Sequence, residues 1–219
     1  MTFGVLIVGA GGHGQVVADI LQEACRHGAD AEPVGFLDDD RSLWGQTVLG
    51  LPVLGAVADL PATPHDAVIV AIGDNAVRWR LLCGLRASGV RLTSAVHPSA
   101  VIAQGVRLGA GVAVCAGVIV NTGSIIGDGV ILNTACTVDH HNCIGDCAHI
   151  APGAHLAGRV VVGEGALVGI GSSVTPGRRI GQWATVGAGA VVIRDVPAGS
   201  VAVGVPARVR RLASPGGSP

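Results

Sequence analysis

Two adjacent histidines, His140 and His141, stand in the stretch Thr137-Val138-Asp139-His140-His141-Asn142, and His149 follows nine residues after the first. Imidazole is the natural general base near neutral pH, and its Nε2 can take a proton from an amine or a hydroxyl. A neighbouring carboxylate would hold such a ring and raise its basicity. The same three histidines could instead ligate a metal, although no Cys or Glu completes an obvious set. The plainest alternative is a polar corner with no chemistry. A second constellation opens the chain: Gly9-Ala10-Gly11-Gly12-His13-Gly14 satisfies G-x-G-x-x-G between an apolar run and a helical pattern. Backbone N–H groups at a helix start favour an anion, and Asp38 or Asp39, ending the next apolar run, could accept from a ribose or sugar hydroxyl. A full NAD site needs roughly twice the ninety or so residues available here. The readings that stay open are a nucleotide-linked ligand, NAD chemistry, or glycines serving tight packing alone.

The elements that must carry these residues differ between the two halves. Val5-Leu6-Ile7-Val8, Val34-Gly35-Phe36-Leu37 and Val68-Ile69-Val70-Ala71-Ile72 read as buried parallel strands. Helical patterns run through Val16, Val17, Ile20 and Leu21, and from about Ala76 to Ala87 with Val77, Leu81, Leu82 and Leu85 on one face. This alternation predicts a small parallel α/β sheet over residues 1–94. From Ile102 to Val192 the chain changes period. Every sixth residue is aliphatic, through Leu108, Val114, Val120, Ile126, Leu132, Val138, Ile144, Ile150, Leu156, Val162, Val168, Val174, Ile180 and Val186. A period of six fits a triangular coil with one short strand per side and three units per turn, so residues 95–212 form about five stacked turns. Gly or Asp following the aliphatic residue by one to three places, as in Ile126-Gly127-Asp128 and Ile144-Gly145-Asp146, suits corners with positive φ. The repeat stops after Val192, and residues 213–219 read as a flexible tail.

Composition narrows the rest. Aromatics at 2% against 49% hydrophobic residues suit a narrow interior that holds Val, Ile, Leu and Ala but not rings. A net charge of −1, with no basic run beyond Arg208, Arg210 and Arg211, gives no footprint for nucleic acid. Mean hydropathy is +0.58, yet no stretch of about 18 residues is free of Gly or charge, so no membrane span is expected. The N-terminus carries no basic region or cleavage site, and the six cysteines show no Cys-x-x-Cys pair. The expectation is a cytoplasmic protein with reduced, buried thiols.

In order along the chain, Ile7-Val8-Gly9-Ala10-Gly11-Gly12-His13-Gly14, Phe36-Leu37-Asp38-Asp39, His97-Pro98-Ser99-Ala100, Val138-Asp139-His140, His149-Ile150-Ala151-Pro152-Gly153-Ala154 and Gly204-Val205-Pro206-Ala207 resemble the hexapeptide-repeat sugar N-acetyltransferases. The branch includes the bacillosamine-type and perosamine N-acetyltransferases and the sialic acid O-acetyltransferases. The resemblance implies a Rossmann-like half domain followed by a left-handed parallel β-helix, a homotrimer with active sites between subunits, a sugar nucleotide on the N-terminal domain and acetyl-CoA along the coil. By position it implies His140 as catalytic base, His149 near the thioester, Ile170 and Ala188 as main-chain contacts along the coenzyme, and Gly11, Gly12, His13, Asp38 and Asp39 on the sugar-nucleotide side. The chain departs from the family in one place: a Glu or Asp usually follows the base, and here that residue is His141, so His141 is itself a candidate base.

The activity expected is acetyl transfer from acetyl-CoA to the amine of a nucleotide-linked 4-amino-4,6-dideoxy sugar. A backbone N–H near Gly158 would polarise the thioester carbonyl, and no metal is required. The alternatives are O-acetylation of a sugar such as sialic acid, or a nucleotide-binding scaffold whose coil only trimerises.

Overall fold

The computed structural model describes residues 2–211, so the expected tail at 213–219 lies outside the described residues. The first part is a five-stranded sheet of β1 (Phe3–Val8), β2 (Ala31–Leu37), β3 (Thr47–Val48), β4 (Leu51–Gly55) and β5 (Ala67–Val70), in the order β3-β4-β2-β1-β5. All neighbours are parallel except the β3–β4 hairpin. Helix α1 (Gly12–Arg26) follows β1, and α2 (Asn75–Ala87) follows β5. The apolar runs of β1 and β5 are buried between the layers, Val5, Leu6, Ile7 and Val8 completely. Hydrophobic patterning does not reveal the β3–β4 hairpin, because Leu51-Pro52-Val53-Leu54-Gly55 carries a proline and β3 is only two residues long.

Leu92 still bridges Val68 of the sheet, whereas β6 (Ala95–Val96) already pairs with Ala113–Val114 of the coil. From there sixteen two-residue strands, β7 (Val101–Ile102) to β22 (Val191–Val192), each end on one of the aliphatic residues spaced by six. Each strand pairs in parallel with the one three units on, so Ile119 faces Thr137 and Thr137 faces His155, a repeat of eighteen residues per turn. The coil is a left-handed parallel β-helix of three faces. The first face carries β7, β10, β13, β16, β19 and β22, the second β8, β11, β14, β17 and β20, and the third β6, β9, β12, β15, β18 and β21. Inward Val120, Ile126, Leu132, Val138 and their successors are buried, forming the core column. Beyond the last repeat the coil continues: β23 (Val201–Val203) pairs with β21 and returns through an antiparallel β24 (Arg208–Arg211).

The corners correct one expectation. Positive φ falls three places after each aliphatic residue, at every sixth position from Gly105 to Gly189. Gly127 and Gly145, one place after, are not in that conformation. They are glycine because a Cβ would run into the next turn, 2.7 Å from Asp146 N and 2.6 Å from Glu164 N respectively. In the positive-φ column, Ala135, His141, Cys147, Arg159 and Trp183 replace glycine. Among the described residues, no helix is long and apolar enough to cross a membrane. All six cysteines are free, with Cys143 facing outward and Cys147 buried.

Candidate functional site

The glycine loop serves two purposes. Gly9 has φ +105°, and a Cβ on Gly14 would overlap the Gly9 carbonyl, so both are required by backbone packing. A Cβ on Gly11 or Gly12 would meet nothing within 4 Å. Packing therefore explains the outer glycines, and the two in the middle keep the mouth of α1 open. Asp38 holds the loop in place: one carboxylate oxygen accepts from Ala10 N at 2.7 Å and the other from Asp40 N at 2.9 Å. Asp39 accepts from Val57 N at 3.0 Å. Gly9, Asp38 and Asp39 share a cavity of about 370 Å³ with Val57, Ile72, Val77, Leu81 and Arg80. Arg80 is the cation of this cavity and carries no motif in the sequence.

His13 joins a different group. With His149 it clusters around Arg78, which is fully buried where the sheet domain meets the coil. The Arg78 guanidinium donates to Ile72 O and Gly73 O in its own domain, to Asn75 Oδ1, and to Gly129 O and Cys147 O of the coil. Asn75 extends the joint through its amide to Gly165 O and Ala166 O. Burial, reinforced by the Arg78 charge, pulls His13 down to about 4 and leaves its Nε2 without a partner. Burial, then the charges of Arg78 and His13, also lower His149 to about 4. Asn133 Nδ2 donates to His149 Nε2 at 3.0 Å, its orientation set because Asn133 Oδ1 accepts from Thr134 N. His149 is thus neutral with its Nε2 lone pair engaged, which makes its Nδ1–H a donor and not a base. A second cavity, of about 270 Å³, brings His149, Leu167 and Thr185 of the coil to Asp74 and Asn75 of the domain, with Trp183 beside them. The signal for Arg78 was legible: it shares the helical stripe of Leu82 and Leu85, where an arginine is out of place.

His140 and His141 sit elsewhere, on the corner from the first face to the second. His140 is half-buried on a floor made by Gly158, where a Cβ would stand 2.5 Å from its Cε1 and 2.6 Å from its Nε2. His141 is exposed over Gly123 in the same manner. The rings meet edge to face with Nδ1 of one 3.0 Å from Nδ1 of the other. The Asp139 carboxylate is engaged elsewhere than with the rings' nitrogens, accepting from Asn121 Nδ2 and from the His140 main-chain N–H, which lower its pKa. The buried Asn142 fixes the corner, accepting from Val160 N and donating to Ala157 O. A groove of about 570 Å³ runs along the first face from Asp139 past Thr137 and His155 to Ser173 and Thr175. Ile170 and Ala188 lie exposed on the corner between the third face and the first, stacked through Gly189 N donating to Ile170 O. One chain therefore joins His13 to His149 and gathers Asp38 with Asp39, but carries His140 and His141 on another edge of the coil. Among the described residues, no three of His, Cys, Asp or Glu converge as metal ligands would.

Residues 4–85 match the family described as the PglD N-terminal domain. The fold is similar to that of PerB from Caulobacter crescentus, solved in complex with CoA and GDP-perosamine, at 43% identity over 95% of this chain and 97% of that one, with a TM-score of 0.88. The chain belongs to the hexapeptide-repeat sugar N-acetyltransferases. Two other members of similar fold are the acetyltransferase domain of PglB from Neisseria gonorrhoeae FA1090, 36% identical over 95% of this chain and all of that one, TM-score 0.88, and WeeI from Acinetobacter baumannii AYE, 32% identical over the same shares, TM-score 0.84. The PglB domain has also been solved with acetyl coenzyme A. Among curated sequences, the 2,3,4,5-tetrahydropyridine-2,6-dicarboxylate N-acetyltransferases of Staphylococcus aureus are 39% identical over 74 residues. That match spans 30% of this chain and only 31% of theirs. The full-length likeness covers both the glycine-loop domain and the coil.

Proposed function

We propose that the protein transfers acetyl from acetyl-CoA to the amine of a nucleotide-linked amino sugar of the 4-amino-4,6-dideoxy type, with His140 as general base. The observation that carries this reading is the half-buried His140 ring on its glycine floor, in a chain that also holds the open-mouthed cavity of Gly9, Asp38, Asp39 and Arg80. The nucleotide occupies that cavity, with Arg80 toward its phosphates and Asp39 toward a hydroxyl; Asp38 mainly buttresses the loop. The amine attacks the thioester carbon, and Nε2 of His140 takes its proton. A main-chain N–H beside Gly158 and the Nδ1–H of His149 are the donors suited to the carbonyl and the pantetheine arm. The C–S bond breaks, and the CoA thiolate leaves and collects the proton. Ile170 and Ala188 offer main-chain contacts to the coenzyme.

Within one chain His140 lies on a different edge from His149 and the nucleotide cavity, so a complete site is built between copies. We read the protein as a homotrimer in which one subunit's His140 meets the neighbour's cavity and His149. Residues 1–94 and 95–212 act as separate sugar-nucleotide and acetyl-CoA units. The reaction belongs to the cytoplasm, where both substrates occur and where six free thiols are at home. Assay of a panel of amino sugar nucleotides for CoA release tests the reading. Turnover only with a hydroxyl sugar such as sialic acid would replace it by O-acetylation. No turnover and no thermal shift with acetyl-CoA would leave only a scaffold.

A further inference from the structure

The contact between His140 and His141 joins two nitrogens of the same kind, and only one arrangement of protons makes it attractive. At a separation of 3.0 Å, one Nδ1 must carry the hydrogen and the other must accept it. Two neutral rings satisfy this in either direction; two protonated rings set N–H against N–H. Two features of the backbone beneath the pair bear on the rings. His141 takes φ +58°, as one of five non-glycine residues in its column; Gly123 stands one turn before it and Arg159, at φ +60°, one turn after. A non-glycine there carries backbone strain that the surrounding turns must hold. Both rings also rest on glycines that any side chain would displace, His140 on Gly158 and His141 on Gly123. Of the two, His140 is half-buried with Nε2 over the floor, while His141 is exposed.

We propose that His141 is a positioning residue: its neutral ring accepts the Nδ1–H of His140 and so fixes the tautomer that leaves Nε2 of His140 free to act as base. When His140 takes the amine proton, its Nδ1–H becomes the stronger donor and the contact tightens. Protonation of His141 turns its Nδ1 into a donor, so the contact reverses and His140 is held in the tautomer whose Nε2 carries the hydrogen and cannot act as base. Other charged or titratable groups around the corner are Asp139 on the same corner, Arg159 one turn on at the place of His141, His155 on β16 and Cys143 on β14. All four are common to the variants compared.

This inference rests on the acetyl-transfer reading, and the test separates the two. His141→Gly restores the residue of the column, so folding is preserved while the acceptor is lost; kcat should fall about ten- to hundredfold with substrate binding retained. His141→Asn tolerates positive φ and supplies an acceptor that does not titrate; it should recover most of kcat. Its acid limb in log kcat against pH should be shallower than wild type by one proton. Imidazole nitrogen NMR of the free protein should find the hydrogen of His140 on Nδ1 and that of His141 on Nε2. The reverse tautomers, or undiminished kcat with an unchanged acid limb in His141→Gly, overturn the proposal. A wild-type protein that releases no CoA with any amino sugar nucleotide overturns the parent reading and this one together, a failure recognised in the wild-type assay before any variant is made.

Discussion

In the proposed reaction His140 is the base and His149 a donor, although both are histidines nine residues apart. The difference is environmental: His149 is buried beside Arg78 and its Nε2 is taken by Asn133, whereas His140 has only another imidazole at Nδ1. His140→Asn keeps most of the side-chain volume and removes the basicity, so kcat should drop about 10²–10⁴-fold while isothermal titration still detects both substrates. Full turnover in that variant would remove His140 from the mechanism. His13 and His149 make a second prediction, for stability. Both are held near 4 in the fold against 6.5 in an unfolded chain. Between these values the unfolded chain binds protons that the folded one refuses, so stability is whole above about pH 6.5 and falls as the pH drops toward 4. The loss approaches about 3 kcal/mol for each histidine at the acid end. Urea midpoints at pH 7.5, 6 and 5 should decline in that order, and His149→Gln should flatten the decline; a flat wild-type profile would contradict the buried neutral state.

Helix α2 is the element that docks the sheet domain on the coil. Arg78 and Leu82 lie on one side of it, Leu82 against Gly129 and Arg78 through carbonyls of both units, while Trp79 meets Trp183 edge to face and Arg86 pairs with Asp128. Burial brings Arg78 down to about 10 against the opposing charge of Asp74 among others, and it is still charged at neutral pH. Arg78→Met fits the volume but strips donors from Ile72, Gly73, Gly129 and Cys147 together; a loss of roughly 3–5 kcal/mol is expected. Arg78→Lys should recover little, because an ammonium cannot span carbonyls on both sides as a guanidinium fork does. Thermal melts and proteolysis around Leu92–Ser94 would register the loosened joint; unchanged melting would show that α2 docks through apolar contacts alone. In contrast the exposed Arg86 pair should contribute less than about 1 kcal/mol.

For the whole molecule, the split between the His140 edge and the His149 face predicts the assembly. Light scattering should give about 65 kDa, three times the 21.7 kDa of one chain, and mixing His140→Asn subunits with subunits disabled in the nucleotide cavity should restore some activity. A monomer mass would remove the shared site. The coil was almost wholly legible beforehand, since each of its sixteen strands ends on the aliphatic residue that a count in sixes picks out. That pattern is local: each turn repeats the one before, so period alone sets strand, corner and core column. The sheet domain was legible in β1, β2, α1, β5 and α2, whose apolar runs are long, but not in the short β3–β4 hairpin. Corner glycines were half understood, because a sequence does not distinguish a glycine needed for φ, such as Gly129, from one needed for clearance, such as Gly127. The types of the candidate residues, two histidines in tandem and aspartates after a strand, were plain from the chain alone. Only the tertiary structure paired His140 with His141, tied Asp139 to Asn121, drew His13 to His149 and placed Arg78 and Arg80. Those relations depend on which residues eighteen or more positions apart become neighbours, and on how deeply each is withdrawn from water.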